Sequence, residues 1–201
     1  MEHSLNFFVN IWIKLFFLLT PFFTLSMFLS LTQDNTNSER LKISIRVTFS
    51  IIIISFFLFF FGNQIFEIFG ITLDSFRIGA GSLLFLSAVD MVRVKDIKTE
   101  HNIESGDIAV VPLAIPITVG PATIGTLLVM GAEMDSRYSK IIGVSALFLA
   151  ILCVGIILLL SSPIQSILGR KGFTILSKIT GLILSALAAQ MIFTGVRNFL
   201  L

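Results

Sequence analysis

The feature that most constrains this chain is a long uncharged run that contains three prolines. No residue from Ile108 to Ala132 is charged, and the run includes Pro112, Pro116 and Pro121. Roughly 20 apolar residues in helix cross a hydrocarbon layer about 30 Å thick, so the run is long enough to span a bilayer. Because proline removes a backbone donor and clashes with the preceding turn, we do not expect an unbroken helix. The sequence predicts an interruption between Ile115 and Pro121.

Such an interruption has two interpretations. Freed backbone groups persist at membrane depth only where protein or a water-filled cavity receives them, and transporters use this arrangement to present helix ends to small polar substrates. An ordinary proline kink in a membrane helix is the alternative, and it needs no ligand. The residues of the run alone leave both interpretations open.

Composition places the whole chain in a membrane. Of its 201 residues, 55% are hydrophobic and 13% are charged, whereas soluble domains carry about 25% charged residues. We therefore expect a multi-pass integral membrane protein in contact with the lipid bilayer. The formal net charge of +2 is too small to suggest a nucleic-acid partner.

Uncharged apolar runs predict six membrane-spanning helices and a single membrane domain over residues 1–201. The predicted spans are Phe8–Leu31, Val47–Phe66, Ile78–Val92, Ile108–Gly131, Ile141–Leu160 and Ile179–Val196. The predicted connections are Thr32–Lys42, Gly70–Asp74, the charged loop Arg93–Asp107, Glu133–Lys140 and Gly169–Gly172. The fold class is thus expected to be an all-α membrane protein.

Basic residues predict the orientation. With six spans, nine of them share one side, namely Arg40, Lys42, Arg46, Arg93, Lys95, Lys98, Arg170, Lys171 and Lys178. Five share the other, namely Lys14, Arg77, Arg137, Lys140 and Arg197. By the positive-inside rule, both termini are expected to face away from the cytoplasm, into the periplasm. Lys14 lies within the first apolar stretch, and its interpretation is a side chain that snorkels to the interface rather than part of an ion pathway.

A weak internal repeat relates the two halves, about 1–95 and about 108–201. A shift of 100 residues places Pro21 on Pro121, so each half carries a proline in the middle of its first span. Three spans per half force the second copy to run upside down. The sequence therefore predicts two inverted three-helix repeats whose broken helices, at Pro21 and Pro121, meet near the midplane.

The two predicted breaks define a candidate substrate site. Half-helix N-termini suit a carboxylate, while threonine hydroxyls and freed carbonyls suit an ammonium group, so a small zwitterionic substrate fits. The candidate binding residues are Thr20, Pro21, Thr24, Thr118, Gly120, Pro121 and Thr123. The alternative for each threonine is a hydroxyl that bonds back to a carbonyl one turn earlier.

Other features carry structural interpretations or exclude chemistry. Thr180, Gly181, Ser185, Ala188 and Ala189 form a small-residue face that indicates close helix packing and permits a homo-oligomer. No Asp, Glu or His lies in the middle of a predicted span, and we find no nucleophile with a base partner. The chain is therefore not expected to be an enzyme, to bind a metal or to need a cofactor.

Several motifs resemble the MarC family of bacterial inner-membrane proteins. They are Val111-Pro112-Leu113-Ala114-Ile115-Pro116 with Gly120-Pro121-Ala122-Thr123-Ile124, Thr20-Pro21 with Phe28-Leu29-Ser30-Leu31, Phe69-Gly70-Ile71, Phe76-Arg77-Ile78-Gly79-Ala80-Gly81, and Gly181-Leu182-Ile183-Leu184 with Gln190-Met191. The resemblance covers nearly the whole chain. One position departs from it, because Thr20 stands where the family usually has asparagine, and Phe22 and Phe23 follow where it has small residues.

The resemblance implies a six-span inner-membrane protein with inverted halves, some of whose relatives transport neutral amino acids such as glycine and alanine. The expected function is a secondary transporter of this kind. Two alternatives stay open: an exporter of amino acids or small toxic compounds, and a non-transporting membrane scaffold protein.

Overall fold

A computed structural model of the chain describes residues 2–93, 113–114, 118–134 and 136–200. Seven helices make up this part of the chain. They are α1 (Glu2–Leu18), α2 (Pro21–Leu31), α3 (Asn37–Phe69), α4 (Leu73–Arg93), α5 (Pro121–Glu133), α6 (Arg137–Leu159) and α7 (Ser161–Leu200). The predicted all-helical class is confirmed over these ranges.

The first predicted span is broken where the sequence predicts. Helix α1 ends at Leu18, and α2 begins at Pro21 with Thr20 in the left-handed region at φ 46° and ψ 55°. Because Pro21 has no N–H to continue the ladder, the first bond of α2 runs from the amide of Thr24 to the carbonyl of Thr20, at 2.9 Å. The break at Pro21 is therefore confirmed.

A second helix begins at a proline in the other half. Helix α5 starts at Pro121, and Gly120 precedes it in an extended conformation at φ −81° and ψ 176°. Just before it, the amide of Val119 donates to the carbonyl of Ala114 at 2.9 Å, five residues back, which is the wide turn of a π-helix. The remaining break-forming residues, Pro112 and Ile115–Ile117, lie outside the described residues, as does most of the charged loop Arg93–Asp107.

Several predicted helix boundaries were wrong because polar caps start the helices earlier than the apolar runs do. Helix α3 begins at Asn37 rather than Val47, since Thr36 and Glu39 form a reciprocal capping box. The Thr72 hydroxyl accepts from the amide of Ser75 near the start of α4, and Ser136 caps α6. The connections Thr32–Lys42, Gly70–Asp74 and Glu133–Lys140 are correspondingly shorter than predicted.

The predicted connection Gly169–Gly172 is confirmed in place at Gly169 but is shorter than predicted, and the helix after it extends beyond the predicted last span Ile179–Val196. Helix α7 (Ser161–Leu200) joins two helical segments across a kink at Gly169, where φ is 57° and ψ is 178°. Glycine takes this backbone conformation without the steric cost that a Cβ would add. The bend separates a short first segment from a long apolar stretch, Lys171–Leu200.

Five helical stretches in the described part of the chain are long and apolar enough to cross a membrane. They are Leu5–Leu31, Asn37–Phe69, Leu73–Arg93, Arg137–Leu159 and Lys171–Leu200. Helix α5 has 13 residues, and most of the predicted span before it lies outside the described residues.

The exterior of the bundle is apolar. Helix α3 buries one stripe of residues and exposes large apolar side chains on its other side, including Ile45, Phe49, Ile53 and Phe57. A helix that is apolar on all sides is typical of a lipid-facing span. These exposed rings and branched side chains are therefore expected to contact acyl chains.

Glycines bring the helices of the two halves into close contact. A Cβ added at Gly62 of α3 would overlap the carbonyl oxygen of Leu128, and one at Gly131 of α5 would overlap that of Phe59. Between α4 and α7, a Cβ at Gly181 would lie 2.8 Å from the carbonyl oxygen of Ala88. Small residues at helix contacts allow this backbone approach in membranes. The packing role predicted for Gly181 is therefore confirmed.

We predict that Gly131→Ala lowers the free energy of unfolding by about 1–3 kcal/mol, because the added methyl group meets backbone that cannot move aside cheaply. Thermal unfolding in detergent measures the change. Gly79→Ala is the matched control, since nothing lies within 4 Å of a Cβ at Gly79. Equal melting temperatures for the two variants would contradict the close α3–α5 contact.

Candidate functional site: two helix starts and a vestibule

Two helix N-termini carry amide groups that their own helices do not use. The first backbone bonds of α2 and α5 come from Thr24 and Ile124, so the N–H groups of Phe22, Phe23, Ala122 and Thr123 have no partner within their helices. Neither cap residue supplies a side-chain hydrogen bond. Because Pro21 and Pro121 occupy the first helical positions, each start offers N–H groups only from its second and third residues.

Buried threonines connect the two breaks. The hydroxyl of Thr118 donates to the carbonyl of Leu113 at 2.8 Å and lies 3.2 Å from the hydroxyl of Thr24. The Thr24 hydroxyl lies 3.3 Å from the carbonyl oxygen of Leu19, which the break removes from the helical ladder. Thr24 and Thr118 are almost completely buried. These contacts join residues of the first and second halves at the interrupted backbone.

Thr123 makes a second connection between the halves. Its hydroxyl is 3.4 Å from the carbonyl oxygen of Leu18, at the end of α1, and 3.4 Å from that of Thr118. One hydroxyl proton serves both acceptors. Each of the three threonines thus also bonds back along its own chain, as the alternative interpretation predicts, but to a carbonyl five residues earlier and not four. The wider spacing follows from the interrupted helix at each break.

Thr20 is strained and its hydroxyl is unused. A left-handed backbone costs an ordinary L residue about 1–2 kcal/mol, and a β-branched residue rarely adopts it. Among the described residues, no group hydrogen-bonds to the buried Thr20 hydroxyl oxygen. Strain of this kind at a buried break is a feature of functional sites. The following side chain, Phe22, packs edge to face on Phe16 of α1 at 6.4 Å between ring centroids.

A cavity of about 470 Å³ leads toward the first break. Helices α1, α4, α5, α6 and α7 line it, and Leu18 at the end of α1 is one of its lining residues. Its polar lining residues are Lys14, Arg77, Thr126, Glu133, Ser139, Gln190 and Thr194. We call this cavity the vestibule, since its other lining residues reach the ends of α5 and α7 near the protein surface.

An ion-pair network holds the outer end of the vestibule. Two nitrogens of the Arg77 guanidinium donate to Oε1 of Glu133 at 2.7 and 2.8 Å, and a third contact joins Arg77 to Asp74. Asn198 donates to the same Asp74 carboxylate at 3.3 Å. The Arg77 side chain is only 11% exposed. The start of α4 and the ends of α5 and α7 are therefore fastened together at one face of the bundle.

Sequence reasoning did not find the vestibule residues. The sequence indicates Lys14 only as an orienting charge that snorkels to the interface, and Arg77 only as an orienting charge within a family motif. The spacing of Phe7, Ile11, Lys14 and Leu18 on one helical face was an available signal. Of the partners of Arg77, Asp74 lies three residues away on the same helix, whereas Glu133 lies 56 residues away on α5, where local spacing gives no signal.

Comparison with known proteins agrees with this architecture. The model of the MarC family of integral membrane proteins matches residues 5–200. This chain belongs to the MarC family. It is 33% identical to the UPF0056 membrane protein MJ1677 of Methanocaldococcus jannaschii, over 98% of this chain and 100% of that protein.

Two further relatives cover similar lengths. A UPF0056 membrane protein of Aquifex aeolicus is 31% identical over 100% of this MarC family chain and 97% of its own length. The UPF0056 membrane protein YhcE of Escherichia coli K12 is 32% identical over 92% and 90%. No solved structure matches the chain. The family therefore establishes a multi-pass membrane protein, and these names specify no substrate.

We predict that Thr20→Asn and Thr20→Gly stabilise this MarC family protein. Both residues accept a left-handed backbone more readily than threonine, so each should raise the melting temperature by about 2–4 °C in detergent. Thr20→Val keeps the branched shape without the hydroxyl and should give no increase. Lower melting temperatures for both Asn and Gly would contradict a strained Thr20.

Proposed function

We propose that this protein is a secondary transporter for small neutral amino acids such as glycine or alanine. The observation that carries the proposal is the meeting of the starts of α2 and α5, where N–H groups without a partner in their own helices belong to the same region as buried hydroxyls and freed carbonyls. N–H groups at a helix start favour a carboxylate, and carbonyl oxygens favour an ammonium group. A zwitterion brings both groups in one small molecule.

The charge balance of the site supports a neutral substrate. The groups at the breaks are hydroxyls, amides and carbonyls of Leu18, Leu19, Thr24, Thr118 and Thr123. None of these side chains is ionisable, so a ligand with net charge would lack a counter-ion at the breaks. In a zwitterion, the negative carboxylate is stabilised by the N–H groups at a helix start, and the positive ammonium group is stabilised by carbonyl and hydroxyl oxygens.

We further propose six spans in two inverted repeats, with the first half of the fourth span supplied by residues before Pro121. The helix contacts support this arrangement. In such a repeat, α2 corresponds to α5, α3 to α6 and α4 to α7. The observed contacts of α5 with α3 and α4 should then have counterparts between α2 and α6 and between α2 and α7, and both counterparts are observed. The observed α3–α6 and α4–α7 contacts each join two corresponding helices.

The proposed setting is the inner membrane of a bacterium, with both termini in the periplasm. The vestibule then opens on the periplasmic side, because it is lined by the ends of α5 and α7. Movement of one half against the other would expose the breaks alternately to each side. The Arg77–Glu133 pair joins α4 to α5, so it joins the two halves at the periplasmic face.

The competing functions make different demands. A non-transporting scaffold would be favoured by continuous, kinked helices without a polar cavity, whereas α1 and α2 are separated at Leu19–Thr20 beside the vestibule. An exporter of amino acids or small toxic compounds is compatible with the same architecture. Growth of a deletion strain on toxic amino-acid analogues separates export from uptake.

Purified protein in liposomes is expected to take up labelled glycine or alanine above the level of protein-free vesicles. An excess of unlabelled neutral amino acid should compete for the site, and arginine or glutamate should not, because each carries a net charge. Uptake equal to that of empty vesicles across the neutral amino acids would remove the substrate assignment.

Gly120→Leu is expected to abolish this uptake while membrane insertion persists. The backbone of Gly120 is extended, so leucine can adopt it, and the added side chain lies at the residue directly before α5, next to its first N–H groups. Gly79→Leu places the same side chain in open space on α4 and should leave transport unchanged. Full transport by Gly120→Leu would mean that the substrate binds elsewhere.

A further inference from the structure

Lys14 is exposed and lines the vestibule. Phe7, Ile11 and Leu18 line the same cavity. These four residues follow helical spacing along α1, so they form one face of the helix. Lys14 therefore lies on the face of α1 that is turned toward the cavity.

The charge of Lys14 is not balanced within the described residues. Three charged side chains line the vestibule, namely Lys14, Arg77 and Glu133. Glu133 is held by two contacts with Arg77, and Arg77 also pairs with Asp74. In the described part of the chain, no carboxylate lies within ion-pair distance of Lys14. The vestibule thus contains one cation that is available to an incoming anion.

The position of Lys14 along α1 links this cation to the first break. Leu18, the last residue of α1, lines the same cavity one turn further along this face, about 6 Å along the helix axis from Lys14. The N–H groups of Phe22 and Phe23, which have no partner within α2, follow beyond the break. A carboxylate held at Lys14 is therefore about one helical turn from the end of α1, where the break begins.

We propose that Lys14 is an outer docking site for the carboxylate of a neutral amino acid, from which the substrate passes to the helix starts. Across the vestibule, the Gln190 and Thr126 side chains offer oxygen acceptors for the ammonium group. Met130 and Met191 provide apolar surface for a short side chain. This inference rests on the proposed function, since it assigns a further contact to the same substrate.

The test is the rate at which labelled alanine associates with the purified full-length protein in detergent, because a docking site on the entry path changes the association rate and not the affinity of the final site. Lys14→Met is expected to lower the association rate constant about tenfold. Lys14→Gln should slow association similarly, and Lys14→Arg should stay within about twofold of the unmodified protein because it keeps the charge. Salt should reduce the difference between the unmodified protein and Lys14→Met, since it screens the charge.

Lys140→Met is the matched control. Lys140 lies in the first turn of α6, where it lines a separate apolar groove with Ile52, Phe56 and Phe148. The substitution removes the same charge outside the vestibule and should leave the association rate constant unchanged. Melting temperatures establish that each variant is folded. If Lys14→Met does not fold, the comparison of Lys14→Gln with Lys14→Arg still tests the proposal.

Competition with alaninamide identifies the group that Lys14 contacts. The unmodified protein should associate faster with alanine than with alaninamide, which lacks a carboxylate, and Lys14→Met should reduce this difference in rate several-fold. If folded Lys14 variants associate with alanine at an unchanged rate and with unchanged preference, the docking role is wrong and Lys14 serves the membrane interface. If the unmodified protein binds no neutral amino acid, the proposed function itself is wrong.

Discussion

The structure depends on how backbone groups are satisfied where proline interrupts a helix inside the membrane. Pro21 ends the ladder of α1 and leaves the carbonyls of Leu18 and Leu19 without their usual donors. Water cannot supply partners in the hydrocarbon layer, so protein groups must. Thr24 and Thr123 supply hydroxyls to these carbonyls, and Thr123 comes from the other half of the chain. Satisfying the break therefore requires the two halves to meet.

That requirement leaves donors as well as acceptors at the same place. A helix start without a side-chain cap leaves its second and third N–H groups without a partner in that helix, and both α2 and α5 start in this way. A transporter can exploit this incompleteness, because a small zwitterion fills it reversibly. Arg77 and Glu133 instead pair at the outer end of the vestibule, where they join α4 of the first half to α5 of the second half.

The sequence was sufficient for the parts of the fold that local chemistry decides. Apolar runs predict the membrane helices, and Pro21 and Pro121 predict where helices must restart. Helix lengths were less predictable, because Thr36 and Ser136 extend α3 and α6 into polar sequence that hydropathy treats as loop. The pairing of Thr118 with Thr24, and the lining of the vestibule by Lys14, depend on which helix faces meet. The local pattern of residues along one sequence does not indicate which helix faces contact each other.

The most direct test of the account is an experimental structure of the protein with bound alanine. We expect the alanine carboxylate within about 2.7–3.2 Å of the N–H groups of Phe22 and Phe23, or of Ala122 and Thr123, with its ammonium group near the carbonyls and hydroxyls at the breaks. A continuous helix through Thr20, or alanine bound away from both helix starts, would contradict the central claim that two interrupted helices form the substrate site.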